Sequence, residues 1–395
     1  MDPVCVRAPR WIGRRAKIAG MVAIALAAAA MPAYATPQAI APHVTLHRIE
    51  LPRGPHRIRI LRIGPAARWR LSVATAGPVG VYARTSRMGR RGGALAAVNA
   101  GFALYPGLPA HLVEAGGALR TTGLDAGPVF AIAADGTPSI GMPRLRIVAL
   151  DPQGHRHVRI SSWNRPAKTR PGTVNGYTPA GGNETSPPSS SCSVRLKASG
   201  FATWTADGAL DRAYTVSDSA CASAPMAVEG GTVLAAAGSS PQGAWLKSLA
   251  VSDTLTIRTS YVWPGIVDAV GGRSLLVSSK VQVPTGCITW ICIRQPRTGV
   301  GITANGTVLL VTVDGRIKGA AGMTLHGFGL YLRSLGAVTA LDLDGGGGTT
   351  MWTKANGLVN HPSDPTGERP VTSAVLVRST PDAPALRRRF RPSVG

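Results

Sequence analysis

Two aspartates, Asp342 and Asp344, stand two residues apart at the end of an apolar run and lead directly into four glycines, 345–348. Side chains alternate faces along a strand. A strand over Ala337–Leu343 therefore points Leu341 and Leu343 one way and Asp342 and Asp344 the other. Two carboxylates beside backbone without side chains are costly in a packed interior and suit a place where something polar binds or reacts. Other polar clusters also follow apolar runs. They are Asn99-Ala100-Gly101-Phe102, Arg297-Thr298-Gly299-Val300-Gly301, Asp314-Gly315-Arg316 and Gly367-Glu368-Arg369-Pro370. Each alone has a plainer reading: Asp-Gly after a strand is more often a hairpin turn, Glu368-Arg369 a surface pair, and Asn99 a satisfied turn residue. A nucleophile elbow G-x-S-x-G, a zinc motif H-E-x-x-H and a phosphate loop ending in Lys-Ser/Thr are missing from the sequence.

The elements that must hold these clusters are mostly short strands. Val44–Leu51, Arg57–Ile63, Leu95–Val98, Phe130–Ala134, Thr307–Val313 and Val371–Val377 all read as strands, and Arg68–Val73 alternates with Trp69, Leu71 and Val73 on one face. Thr324 is placed to cap a helix running to about Leu335. Leu325, Phe328, Leu332 and Leu335 fall on one face of that helix, and Gly336 is its terminator. The stretch 161–265 is looser and rich in loops, with Thr178–Ser191 (TPAGGNETSPPSSS) its least regular part and short strands expected at Val194–Leu196, Met226–Val228 and Thr254–Arg258. The expected class is α+β: one strand-rich domain over 43–379 with mixed sheets and few helices, and a site built from strand ends and loops.

Flanking this domain, residues 1–35 read as an export signal. Arg7, Arg10, Arg14, Arg15 and Lys17 precede the apolar Ile18–Ala30, and Ala33-Tyr34-Ala35 fits a cleavage site. Arg14-Arg15 leaves the twin-arginine route open beside the ordinary one. Residues 36–42 form a short lead, and 380–395 a disordered basic tail. Without the signal, no segment is long and apolar enough to span a bilayer, so the chain is expected outside the cytoplasm, secreted or in the cell envelope. Net charge is +24 over 395 residues, and removing the signal leaves +20. Such a protein concentrates at anionic surfaces such as envelope polymers. No motif for reading nucleic acid is present. Cys5 leaves with the signal. Of the three pairings open to the remaining cysteines, the local ones, Cys192–Cys221 and Cys287–Cys292, are expected.

Taken together, in this order and spacing, the clusters resemble the phosphodiester glycosidase family. The family's N-G-G-F-F is seen as Asn99-Ala100-Gly101-Phe102-Ala103, and its R-T-A-x-G as Arg297-Thr298-Gly299-Val300-Gly301. Its D-G-R is Asp314-Gly315-Arg316, and its G-x-T-L is Gly322-Met323-Thr324-Leu325. Its A-x-N-L-D-G-G-G-S is Ala340-Leu341-Asp342-Leu343-Asp344-Gly345-Gly346-Gly347-Gly348, and its E-R-x-V is Glu368-Arg369-Pro370-Val371. The resemblance covers Leu95 to Val377 and is dense after Arg294. It departs where the family's Asn is Asp342, its Ser is Gly348 (with Thr349 next to supply a hydroxyl), and its second Phe is Ala103.

The resemblance implies hydrolysis of a sugar-1-phosphodiester at the glycosidic bond, giving free sugar and a phosphomonoester. The residue types suit that chemistry. A departing phosphate ester needs its charge held more than it needs a proton, and Arg297, Arg316 and Arg369 are the candidates. Positive charge developing at the anomeric carbon needs a carboxylate, with Asp344 first, then Asp314 and Glu368. Gly345, Gly346 and Gly347 let backbone approach the ligand and offer N–H groups. Asn99, Asp342 and Thr349 complete the substrate-binding set. No cofactor is expected. Two other readings stay open: a non-catalytic binder of anionic phosphodiester polymers, and a Ca²⁺ site on Asp342 and Asp344.

Overall fold

The computed structural model describes residues 33–378, apart from 35, 52–55, 105, 125, 152–156, 166–171, 186–189, 284–285 and 288. The basic tail and, save Ala33 and Tyr34, the export signal lie outside the described residues. Val308–Val313 (VLLVTV) is apolar on both faces, as a strand covered on both sides must be. It lies between His56–Ile63 and Arg297–Thr303 in a nine-stranded sheet, with Val44–Leu51 beyond the first and Ala337–Leu343 and Ser274–Ser278 beyond the second. All these neighbours pair antiparallel.

One face of this sheet puts Val300, Leu310, Leu341 and Leu343 into a core shared with a five-stranded sheet. In that second sheet Ala94–Asn99 lies between Met351–Thr353 and Ser373–Arg378. The opposite face puts Leu309, Val311, Val313 and Ala340 against the helix Leu325–Ser334, which buries Leu325, Phe328 and Leu332. The helix begins where expected: the Gly327 amide donates to Thr324 Oγ1 at 3.0 Å. It ends at Gly336, whose φ of +94° is left-handed. A Cβ at Gly299 would stand 2.7 Å from the Phe328 ring, so the helix can seat only on a bare strand there. Among the described residues there are three α-helices, and none is long and apolar enough to cross a membrane.

Two expectations need correction. Arg68–Val73 does not alternate as one strand: Pro65–Arg70 is a 3₁₀ helix, and the strand is Leu71–Thr75. Proline at the first helical position sets φ for a helical turn, and that outweighs the alternation downstream. The second concerns 161–265: the strands expected at Val194–Leu196 and Thr254–Arg258 are present, but they are longer and join others in a closed barrel to which this stretch contributes most. The ring runs Ser191–Ala198, Thr232–Ala237, Val174–Tyr177, His157–Trp163, Arg146–Leu150, Thr254–Ser260 and Leu210–Ala222, and Leu210–Ala222 pairs back onto Ser191–Ala198. Only the pairing of His157–Trp163 with Val174–Tyr177 is parallel within this ring. The barrel is hard to see in the sequence because Ser, Thr, Ala and Gly occupy many of its positions. Its inner face is nevertheless apolar, with Ile147, Val194, Leu196, Val216, Leu234 and Leu255 buried together.

The closing pair is pinned covalently. Cys192 faces Cys221 across the ladder, and the two form a disulfide. Cys287 and Cys292 form the other expected one. Replacing Cys192 and Cys221 together by serine releases a 29-residue separation in the unfolded chain. It should lower stability by about 3 kcal/mol, read as an earlier urea midpoint under non-reducing conditions. An unchanged midpoint would mean that the ladder alone keeps the barrel closed.

Candidate active site

Antiparallel pairing decides which strand ends meet. Thr298 pairs with Leu343, and Arg297 with Val313. The start of Arg297–Thr303 and the ends of Val308–Val313 and Ala337–Leu343 therefore share one edge, where Arg297, Asp314 and Asp344 leave the sheet. Asn99 ends its own strand in the second sheet at the same place. Its Nδ2 donates to the Asp344 carbonyl at 2.5 Å. Its Oδ1 accepts from Thr298 Oγ1 at 2.8 Å and from the Thr350 amide at 2.9 Å. Asn99 is wholly buried. Its amide ties the two sheets together at the glycine turn, where the sequence reading has it facing a sugar.

After Asp344 the chain makes a 3₁₀ turn at Gly346–Gly348, entered through Gly346 at φ +58°. The expected row of free amides is mostly engaged. Gly346 donates to the Pro296 carbonyl at 3.0 Å, Gly348 to Gly345 at 3.2 Å, and Thr349 to Gly346 at 3.1 Å. The glycines matter for the room they leave. A Cβ on Gly348 would stand 2.6 Å from Asp344 Oδ2, and one on Gly346 3.5 Å from the Arg316 guanidinium. One on Gly347 would overlap both Arg369 and Asp364. Three consecutive bare residues thus lie under one carboxylate and two guanidinium groups.

The two aspartates differ in their surroundings. Asp342 is 1% exposed, and neither carboxylate oxygen has a hydrogen-bond partner. Burial pushes its pKa up to about 7; Arg297 and Arg273 oppose the rise and the neighbouring Asp344 charge adds to it. Asp344 is partly open to solvent. Its pKa is also pushed up to about 7 by burial, with Arg369 holding it down. Arg316 and Arg369 are the cations that lie against the turn. Arg316 is exposed, with its Nε donating to Gln295 Oε1. Arg369 forms a bidentate pair with Asp364 at 2.6 and 2.9 Å.

The other expected residues are committed elsewhere. Arg297 is buried and donates to the carbonyls of Met323, Ile291 and Ile293 at 3.0, 2.6 and 2.7 Å. It pins the loop closed by Cys287–Cys292, so its donors at Nε and Nη2 are engaged by main-chain carbonyls. That loop presents Trp290, 67% exposed, against the Arg273 guanidinium at 5.2 Å. Asp314 is fully buried and accepts from the amide and Nδ1 of His361 at 3.1 and 3.2 Å. Burial raises its pKa, and the His361 amide, Arg59, Asn360 and the His361 ring oppose the rise. The Glu368 carboxylate accepts from the amide and hydroxyl of Ser86 at 2.7 and 2.6 Å, at the start of the helix Thr85–Arg91. Thr349 Oγ1 is buried without a partner.

Gln295, Trp290, His361 and Asp364 were not legible as site residues. Each sits in a turn-rich segment whose neighbours are fixed only by the fold. Among the described residues no group of three or more His, Cys, Asp or Glu converges to hold a metal. A cation on Asp342 and Asp344 would have to complete its shell with carbonyl oxygens.

Asp342 carries a stability consequence. Its pKa is raised in the fold, so its proton stabilises the native state below about pH 4, and that contribution is lost as pH rises through about 7. Asp342→Asn should therefore be nearly neutral at pH 3 and stabilising by about 2–4 kcal/mol at pH 8, read from urea melts at the two pH values. Equal effects at both would show that Asp342 is ionised and paired.

Comparisons with known proteins identify the family and the fold. The family model for phosphodiester glycosidase (NAGPA) matches residues 160–378, over half of the chain. The SPbeta prophage-derived uncharacterized protein YomE of Bacillus subtilis (strain 168) is 32% identical over 96 residues, 24% of this chain and 14% of the relative. A hypothetical protein from Synechocystis superposes with a TM-score of 0.66 at 21% identity, over 85% of this chain and 62% of its own. A protein described as exported, from Burkholderia pseudomallei K96243, gives 0.59 at 24% identity, over 82% and 74%. The two solved structures share the fold, and this chain spans less than two thirds of the Synechocystis protein. The extent of the family match, with the motif residues gathered at one edge of the central sheet, makes this chain a member of the phosphodiester glycosidase family.

Proposed function

We propose that this chain is an exported hydrolase that cleaves the glycosidic bond of a sugar-1-phosphodiester. Water adds at the anomeric carbon, the bond from that carbon to the phosphate oxygen breaks, and free sugar and a phosphomonoester leave. The observation that carries the reading is the glycine turn, with the Asp344 carboxylate over Gly348 and the Arg316 and Arg369 guanidiniums over Gly346 and Gly347. Asp344 supplies the carboxylate that charge development at the anomeric carbon requires. Arg316 and Arg369 hold the phosphate, whose ester oxygen departs without needing a strong acid. Trp290 offers an apolar face at the rim for a sugar ring. Two disulfides suit an oxidising compartment, and the net charge of +24 favours substrates in anionic envelope polymers.

The second reading, a binder that does not cut, draws on the same arginines and the same charge. The two part at Asp344. Asp344→Asn should keep the fold by circular dichroism and lower release of reducing sugar from a panel of glycosyl-1-phosphodiesters by about 10³-fold or more. Wild type that releases no sugar from the panel but retains wall polymer on a column would hand the function to the binder.

The pH profile tests the assignment further. An ionised Asp344 is the active form, so kcat/KM should climb with pH along an acid limb near 7. Arg369→Gln removes the charge that holds this pKa down and should shift the limb to higher pH as well as raise KM. A limb that stays in place in Arg369→Gln would assign it to another group.

A further inference from the structure

One mouth of the barrel faces a separate five-stranded sheet, Ala118–Thr121, Val113–Ala115, Ile266–Gly271, Val129–Ala133 and Pro138–Gly141 in order, and is not lined as a core would be. Arg212 follows the inward face of its strand, two residues before Tyr214, which is buried in the barrel core. Its cross-strand partner Ile257 is buried there too. Alternation calls for an apolar side chain at Arg212, yet the residue is exposed and no carboxylate pairs with it among the described residues. Facing it across the mouth is the hairpin of Val113–Ala115 and Ala118–Thr121. From this hairpin Arg120 brings a buried Nε–H that has no acceptor. Glu114, only 2% exposed, accepts from the Tyr261 hydroxyl. Burial pushes the Glu114 pKa up to about 8, so the group is neutral at pH 7 and adds no negative charge. These residues, with Thr259, enclose a cavity of about 340 Å³.

The buried Arg120 donor without an acceptor costs stability, and the exposed Arg212 guanidinium adds an unneutralised positive charge beside it. An anion entering the mouth would relieve both. The volume sits at the small end of the roughly 300–1,000 Å³ usual for small-molecule sites, and barrel mouths are common places for them. Thr259 and the protonated Glu114 offer groups that suit hydroxyls. No residue of the glycine turn lines this cavity.

We infer that the barrel mouth is a second, non-catalytic binding site for a small anionic polyol of the sugar-phosphate class, with Arg120 and Arg212 on the phosphate and Thr259 and Glu114 towards the hydroxyls. The site stands whether or not the glycine turn cleaves a phosphodiester.

The test is calorimetric titration of the intact protein with glucose 6-phosphate at low salt, beside glucose and inorganic phosphate. Saturable binding is expected, weakened about tenfold or more by Arg212→Gln and abolished by Ala198→Phe, which fills the mouth from an exposed position of its lining. Arg212→Gln should leave release of sugar from a small phosphodiester unchanged. Absence of saturable binding by wild type overturns the inference. So does binding that survives both barrel variants and disappears in Arg369→Gln, which would assign the anion to the glycine turn. Inorganic phosphate binding as tightly as glucose 6-phosphate would overturn the saccharide assignment.

Discussion

Three adjacent glycines set how closely the charged groups at one edge of the central sheet approach the chain. At Gly346, Gly347 and Gly348 a Cβ would meet Arg316, the Arg369–Asp364 pair and Asp344 respectively. A methyl group on Gly347 or Gly348 would fall inside the radius of these charged ends and push them off the turn, while Gly346 holds a left-handed φ of +58° that a side chain would strain. The turn is narrow because three of its amides close onto nearby carbonyls. Its conformation places the charges, and its lack of side chains lets them approach.

Positioning that turn falls to groups that do not face a ligand. Asn99 joins the carbonyl before the turn, a threonine of the central sheet and the amide after the turn, all through one side chain. Arg297 does the equivalent for the loop that carries Trp290. Both are buried with their polar atoms engaged, the condition under which a buried polar network gives rigidity at little cost. Asp342 is the exception. Its carboxyl has no partner, and an amide at this position would carry no ionisation penalty. It is the one motif position where the sequence departs from its family by adding a charge.

Much of this was readable in the sequence. The alternation at Ala337–Leu343 gave the shared face of the two aspartates, and Thr324 and Gly336 gave both ends of the helix, because those signals are local. The motif clusters pointed to a site built from strand ends and loops. They did not foretell which members face the opening. An arginine that binds phosphate and one that binds three carbonyls look alike until the loop around Ile291–Ile293 is in place. The same holds for Glu368, whose partner Ser86 lies 282 positions away. The barrel was invisible for a different reason: its strands use small polar residues, and its closure depends on a pairing between distant segments that periodicity alone does not report.

Arg297 has a consequence for reading other sequences of this family. An arginine fixed to main-chain carbonyls is required by the architecture, and a protein with this fold would keep it after losing its chemistry. Its presence, like that of Asn99, speaks for the scaffold. Under the proposed function, catalysis is read instead in Asp344, Arg316 and Arg369, whose charged ends lie against the bare turn. Sorting relatives by those few positions would separate hydrolases from inherited scaffolds that only bind, where overall similarity would group them together.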